Sequence, residues 1–242
     1  MHGFTATAEE MRPLGTAMAR AGFPVVGVQL PGHGIEPIAL SQVGAAEWLG
    51  AVEDAVNTLR REGHRVAIAG MSMGALLALV AAAERRQPVD ALVLCGAALR
   101  LRNRWVRWLP VMERIPGVTR RWPLIPRGGD RGISDPDARA ASPAYDAVPW
   151  RAVRELLALV ARARAALPRV TQPVLALHGR RDRSVPPSVL EELRRRCASP
   201  CIETHLLERS WHVITMDVER ERVAALAIDF LTRVEAGTVG RG

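Results

Sequence analysis

The feature that most limits what this chain can fold into lies at residues 65–81. An apolar run, Arg65-Val66-Ala67-Ile68-Ala69, halts at Gly70-Met71-Ser72-Met73-Gly74 and resumes as Ala75-Leu76-Leu77-Ala78-Leu79-Val80-Ala81. The first part suits a buried strand and the last a buried helix. A strand that passes straight into a helix needs a sharp turn, and the serine at its apex takes a strained backbone conformation. Such a turn closes only if the residues two positions either side of the serine are small, a demand that Gly70 and Gly74 meet.

The rest of the chain repeats the alternation of strand and helix. Thr7-Ala8-Glu9-Glu10 reads as a capping box, with the Thr7 hydroxyl taking the Glu10 amide and the Glu10 carboxylate reaching back. It opens a helix carrying Met11, Leu14 and Met18 on one face. Residues 23–30 are almost wholly apolar and read as a parallel strand covered on both sides, followed by the loop Pro31-Gly32-His33-Gly34. A helix over 41–62 has the face Trp48, Val52, Val56 and Leu59. After the Ser72 turn and its helix, residues 89–96 form another buried strand. This order calls for a doubly wound, mostly parallel α/β sheet.

Between residues 99 and 149 the alternation lapses. Arginines and prolines take over, with Trp105, Trp108 and Trp122 inside the stretch and Trp150 at its end. An insertion of this length in a compact domain points to function, and above a sheet it would be a lid. The spacing of Leu101, Trp105, Trp108 and Leu109 equally suits a helix docked on the body. Regularity returns with a helix over 150–167, a strand over 173–179, a helix presenting Val189, Leu190, Leu193 and Cys197, a last strand over 202–207 and a final helix with Val223, Leu226, Ala227, Phe230, Leu231 and Val234 inward. The expected organisation is a core of residues 1–98 and 150–242 with a lid over 99–149.

Composition excludes several classes. At 242 residues with 48% hydrophobic content the chain fits one globular domain, and no apolar run nears the ~20 residues of a membrane span. Met1-His2-Gly3-Phe4 runs at once into polar residues, unlike a secretory signal, so the expected location is cytoplasmic. Three cysteines, Cys95, Cys197 and Cys201, make no disulfide framework. Cys197, Cys201 and His205 recur every four residues but lack a fourth ligand and fall partly on a strand, so no metal is expected. The net charge of +8 is carried wholly by arginine, since no lysine occurs, and is spread over several helices. It reads as solvated helix faces, with no nucleic-acid partner and at most peripheral membrane contact through the lid.

In doubly wound sheets the chemistry gathers beyond the carboxyl ends of the strands. Ser72, Asp182 and His212 stand there. A serine hydroxyl needs an imidazole to take its proton, and the imidazole needs a carboxylate to fix its tautomer and support its charge. The order Ser, Asp, His is the one that goes with a Gly-x-Ser-x-Gly elbow. Asp146 is a nearby alternative acid. His178, His33, His2, His64 and His205 compete for the base, but only His212 follows the last strand.

Taken with His2-Gly3-Phe4, Pro31-Gly32-His33-Gly34, His178-Gly179-Arg180-Arg181-Asp182 and Ser210-Trp211-His212-Val213-Ile214, the elbow resembles the α/β-hydrolases of the carboxylesterase and monoacylglycerol-lipase type over nearly the whole chain. The resemblance implies Ser72 as nucleophile, His212 as base and then acid, Asp182 as its partner, and the backbone N–H groups of Phe4 and Met73 as oxyanion hole. It implies hydrolysis of short to medium acyl esters or monoacylglycerols through an acyl-enzyme, with no cofactor. Thioester hydrolysis, acyl transfer and C–C hydrolysis use the same triad, and a non-catalytic binding role is the alternative from another class. Haloalkane and epoxide hydrolysis are disfavoured, because those enzymes carry aspartate where Ser72 stands.

Two departures stand out. Trp211 replaces the glycine usual before the histidine and is expected to narrow the pocket. In that family the His-Gly-Phe turn also follows an apolar strand lying between the strand of Val25 and that of Val66, whereas here Met1 precedes it directly. Each neighbour left unpaired there would cost about 1–3 kcal/mol per buried group. The expectation is a coding region that extends upstream, or a gap closed in some other way.

Overall fold

The computed structural model describes residues 1–84, 88–103, 106, 108–127 and 131–239. A 3₁₀ turn, Ala8–Met11, leads into α1 (Arg12–Arg20). A second 3₁₀ turn, Pro37–Ser41, precedes α2 (Ala45–Arg61). Then come β1 (Ala67–Met71), α3 (Met73–Glu84) and β2 (Ala91–Cys95). The segment that follows holds the short helices α4 (Leu109–Met112) and α5 (Val118–Arg121), strand β3 (Leu124–Pro126), helix α6 (Pro136–Ala140) and strand β4 (Ala147–Pro149), which pairs antiparallel with β3. The chain closes with α7 (Trp150–Ala166), β5 (Val174–Gly179), α8 (Val189–Arg196), β6 (Ile202–Leu207) and α9 (Arg220–Glu235).

The main sheet runs β1-β2-β5-β6, all parallel. Period-2 alternation divides its two central strands between two cores. Leu92, Leu94, Val174 and Ala176 pack toward α2, α3 and α7, whereas Ala91, Val93, Cys95, Leu175 and Leu177 pack toward α1 and α9. α3 is buried nearly all round, as its uninterrupted Ala/Leu run requires. α2 is amphipathic and turns Trp48, Leu49, Val52 and Val56 inward. It starts at Ala45, four residues later than its sequence pattern begins, and the amide of its N-cap Gly44 donates to the Glu47 carboxylate at 2.9 Å.

Three expectations fail. Residues 23–30 are not a strand: Val25 and Val26 are 43% and 47% exposed. A parallel strand needs a neighbour for its amides and carbonyls, and none of the described strands lies beside this segment. The capping box does not form, because Thr7 Oγ1 accepts from the Glu9 amide at 3.3 Å while the Glu10 carboxylate turns inward to the Gly3 amide. Leu101, Trp108 and Leu109 do not share one docking face: Leu101 packs on the core while Trp108 is 59% exposed. Trp105 lies outside the described residues. No helix among the described residues is long and apolar enough to cross a membrane.

Candidate active site

The elbow at the end of β1 has the expected strain. Ser72 sits at φ 54°, a left-handed backbone rarely taken by a residue with a side chain. A Cβ on Gly70 would lie 2.3 Å from the Gly74 carbonyl oxygen, and one on Gly74 would lie 2.5 Å from that of Met1. The two glycines thus let α3 close onto β1 and let residues 1–3 lie against the elbow. The Ser72 amide donates to the Cys95 carbonyl at 2.8 Å, anchoring the turn to β2.

β5 and β6 deliver the other two residues. Asp182 follows β5, and the loop after β6 carries His212. His212 Nε2 lies 2.8 Å from Ser72 Oγ, and its Nδ1 lies 2.7 Å from Asp182 Oδ2. The other Asp182 oxygen accepts from the amides of Ser184 and Val185 at 2.7 and 2.8 Å. Burial alone would raise the Asp182 pKa, but the contacts with His212 and His178 outweigh it and hold the carboxyl well below its usual range. A carboxylate that stays ionised there fixes the His212 tautomer and leaves Nε2 free to take the serine proton.

The other histidines do different work. His178 Nε2 sits 3.0 Å from Asp182 Oδ2 and 3.2 Å from the Val185 carbonyl, completing the grip on the aspartate. His2 is buried, with Nδ1 2.9 Å from the Gly3 carbonyl and Nε2 accepting from the Leu30 amide at 3.0 Å. Burial pulls its pKa down to about 3, and that of His33 down to about 4. Both are neutral structural groups within an edge-to-face cluster with Phe4 and Trp48. His64 is partly exposed beside Glu62, and His205 lies on β6. Asp146 is exposed and pairs with Arg131, away from any imidazole.

Beside the serine, Gly3 packs so closely that a Cβ on it would lie 3.3 Å from Ser72 Cβ. The Phe4 amide in this turn makes no hydrogen bond among the described residues. Met73 opens α3, so its amide has no intrahelical partner. Two donors are therefore unspent around Ser72. The turn that carries Phe4 is held by Glu10, whose carboxylate accepts from the Gly3 amide at 2.6 Å. Burial raises the Glu10 pKa, opposed by that same amide.

Three groups that sequence reasoning missed organise the site. Asp217, fully buried, accepts from the amides of Trp211, Ser134, Asp135 and Val218 and from the Ser134 hydroxyl. Glu219 accepts from the amides of Arg209 and Ser210 and from the Ser210 hydroxyl. Together they shape the loop that carries His212. Their signal was two acids at alternate positions in an otherwise apolar stretch just after the histidine. The third is Glu10, which the capping pattern had claimed. Trp211 has its ring flanked by the guanidinium groups of Arg183, at 4.2 Å, and Arg139, at 5.3 Å. The three cysteines are free, and burial pushes the Cys95 thiol up to about 12.

A mostly parallel sheet, helices on both faces and a serine elbow facing a histidine and an aspartate from later strand ends define the α/β-hydrolase class. The chain belongs to the family described as serine aminopeptidase, S33, which it matches over residues 1–219. It is 29% identical over 236 residues to a thermostable monoacylglycerol lipase of Bacillus sp. strain H-257, spanning 96% of this chain and 89% of that protein. A carboxylesterase of Bacillus subtilis strain 168 is 23% identical over 236 residues, 97% of this chain and 92% of that one. Among solved structures, one reported with LipS and LipT, two metagenome-derived lipolytic enzymes, has TM-score 0.87 at 29% identity over 96% of this chain and 91% of its own. The monoacylglycerol lipase of Paleococcus ferrophilus, at 19% identity and TM-score 0.81 over 97% and 93% of the two chains, is alike in fold.

Proposed function

We propose that the protein hydrolyses carboxylic esters of short to medium acyl chain, monoacylglycerols among them, through an acyl-enzyme. The observation that carries this is the continuous contact from Ser72 Oγ through the His212 ring to Asp182, with Ser72 on a strained elbow. Ser72 Oγ attacks the ester carbonyl while His212 Nε2 takes its proton. The oxyanion is received by the Phe4 and Met73 amides, each worth about 3 kcal/mol of transition-state stabilisation. His212 then protonates the departing alcohol, and a water activated by the same imidazole releases the acid. Relatives named as monoacylglycerol lipase and carboxylesterase support the ester as substrate.

The segment 99–149 serves as a lid over this centre. Its later part packs on the site: the Gly132 carbonyl accepts from the Val213 amide at 2.8 Å, and the Tyr145 amide donates to the Thr5 carbonyl at 3.0 Å. Trp108, Val111, Met112, Ile115 and Trp122 are exposed on the earlier part, which suits an apolar acyl substrate or peripheral contact with a lipid surface. Three free thiols agree with a reducing, cytoplasmic location.

The test compares wild type with Ser72→Ala on p-nitrophenyl esters from acetate to decanoate, with aminoacyl p-nitroanilides beside them because of the family's description. Ester turnover should fall by at least about 10⁴-fold in the variant. Turnover kept at the wild-type level, or activity confined to the anilides, would refute the proposal.

A further inference from the structure

Three consecutive residues after β5 each reach the loop that carries the base. The Arg181 amide donates to the Ser210 carbonyl at 3.2 Å, Asp182 Oδ2 lies 2.7 Å from His212 Nδ1, and the Arg183 guanidinium lies over the Trp211 ring, 4.2 Å from its centroid. The first contact joins the roots of the two loops, and the second is the acid–base pair itself. The third ties the residue after the acid to the residue before the base. It can be altered without touching any of the reacting groups.

The ring has a second support. Arg139 of α6 lies over it at 5.3 Å, and the Arg139 guanidinium is itself tied down by the carbonyls of Ile133 and Ser134 at 2.9 and 3.1 Å. The segment around Arg139 is packed against the base: a Cβ on Gly132 would lie 2.9 Å from His212 Cβ. A guanidinium over an aromatic face is attracted by the ring's quadrupole, most strongly for tryptophan. The Trp211 backbone has no need of the ring, since its amide donates to Asp217 at 2.7 Å and its φ is not among the left-handed values that favour glycine. What the ring adds is therefore the link between its neighbours.

We propose that Trp211 is a positioning residue for the triad: stacked with Arg183 and braced by Arg139, its ring holds the Asp182 loop and the His212 loop in register. Asp182 then meets His212 Nδ1 while Nε2 meets Ser72 Oγ. A misplacement of about 1 Å between such groups costs as much as 10²-fold in rate, so a link one residue away from both the acid and the base bears directly on turnover. A ring that instead lined the path of the substrate would act on KM. The kinetic part of the inference rests on the ester hydrolysis proposed above, whereas covalent labelling of Ser72 reads the same alignment without any ester.

Three variants test it. Trp211→Leu keeps apolar bulk without an aromatic face, Trp211→Phe keeps a smaller face, and Arg183→Gln removes the cation. Each is compared with wild type in hydrolysis of p-nitrophenyl butyrate and in the rate at which a small fluorophosphonate labels Ser72. Trp211→Leu should lower kcat and the labelling rate about 10-fold, with KM within about twofold and the melting temperature within about 3 °C. Trp211→Phe should bring both rates back to about a third of wild type. Arg183→Gln should slow both about fivefold, and combining it with Trp211→Leu should add less than about twofold, because the two changes break one link. Should Trp211→Leu fail to fold, Arg183→Gln carries the test, since Arg183 is exposed. A raised KM with kcat intact makes the ring a pocket wall and overturns the proposal. So do a phenylalanine variant as slow as the leucine one, and losses that multiply in the double variant. In a wild type that labels but hydrolyses no ester, the reaction proposed above fails while a tenfold difference in labelling still supports this role. A wild type that does not label overturns both.

Discussion

Replacing Asp217 separates two roles that one carboxylate combines. Its Oδ1 accepts from the amides of Ser134, Asp135 and Val218, at 3.0, 3.1 and 2.9 Å, and from the Ser134 hydroxyl at 2.5 Å. Oδ2 takes the Trp211 amide at 2.7 Å, next to His212. Asp217→Ala leaves five donors without an acceptor. A buried donor left unpaired costs about 1–3 kcal/mol, and water entering the space relieves part of this, so the loss should be about 4–5 kcal/mol. Asp217→Asn keeps an oxygen for the Oδ1 cluster and sets an NH₂ against a single amide, that of Trp211, at about 2 kcal/mol. The reverse rotamer would face four donors and is excluded by the same reasoning. Because the Trp211 amide fixes the His212 loop, kcat should fall about 100-fold in the alanine variant and about 10-fold in the asparagine one. Urea unfolding and ester hydrolysis measure the two effects. An asparagine variant as unstable as the alanine one would refute the division of labour, and an alanine variant with wild-type kcat would refute the link to His212.

Glu10→Gln keeps an acceptor for the Gly3 amide and should hold kcat/KM within about threefold, whereas Glu10→Ala should lower it about tenfold through kcat, read on the same ester series. In Gly74→Ala the new methyl would meet the carbonyl oxygens of Met1 and His2 at 2.5 and 2.8 Å, both backbone atoms, so melting should reveal a loss of about 3 kcal/mol or more, and a loss under ~1 kcal/mol would contradict the packing. The depressed values of His2 and His33, about 3 and about 4, mean that the unfolded chain takes up protons near pH 6.5 while the folded chain does not. Their stabilisation is complete above pH 6.5 and is lost as pH falls toward 4, by about 4 kcal/mol for the pair at pH 5. Denaturant midpoints that rise on acidification from pH 7.5 to 5 would refute it. The Met1 ammonium works in the same direction, between about pH 8 and pH 6.

The elbow was legible because its constraints are local. Gly70, Ser72 and Gly74 sit within five residues, and the strand before and the helix after them declare themselves by composition. His212 and Asp182 were legible as strand-end residues, and the structure brings both within hydrogen-bond distance of their expected neighbours. Glu10 was misread because its capping pattern is satisfied by spacing alone, while the Gly3 amide that captures the carboxylate arrives from a separate turn. Asp217 and Glu219 were overlooked for a similar reason. Their partners, from Ser134 to Trp211, are scattered along the chain and meet only when the loops pack.

By itself, then, the sequence determined the order of strands and helices outside residues 23–30 and 99–149, the strained serine turn and the small set of residues able to meet at the strand ends. These follow from side-chain volume, period and turn chemistry within short windows. Tertiary structure alone decided whether an apolar run became a strand. Residues 89–96 and residues 23–30 carry the same kind of apolar pattern, yet only the first run holds a strand, β2, because β1 and β5 lie on either side of it to accept from its amides and donate to its carbonyls. Backbone hydrogen bonding across a sheet is a property of neighbours, and neighbours are set by the whole fold.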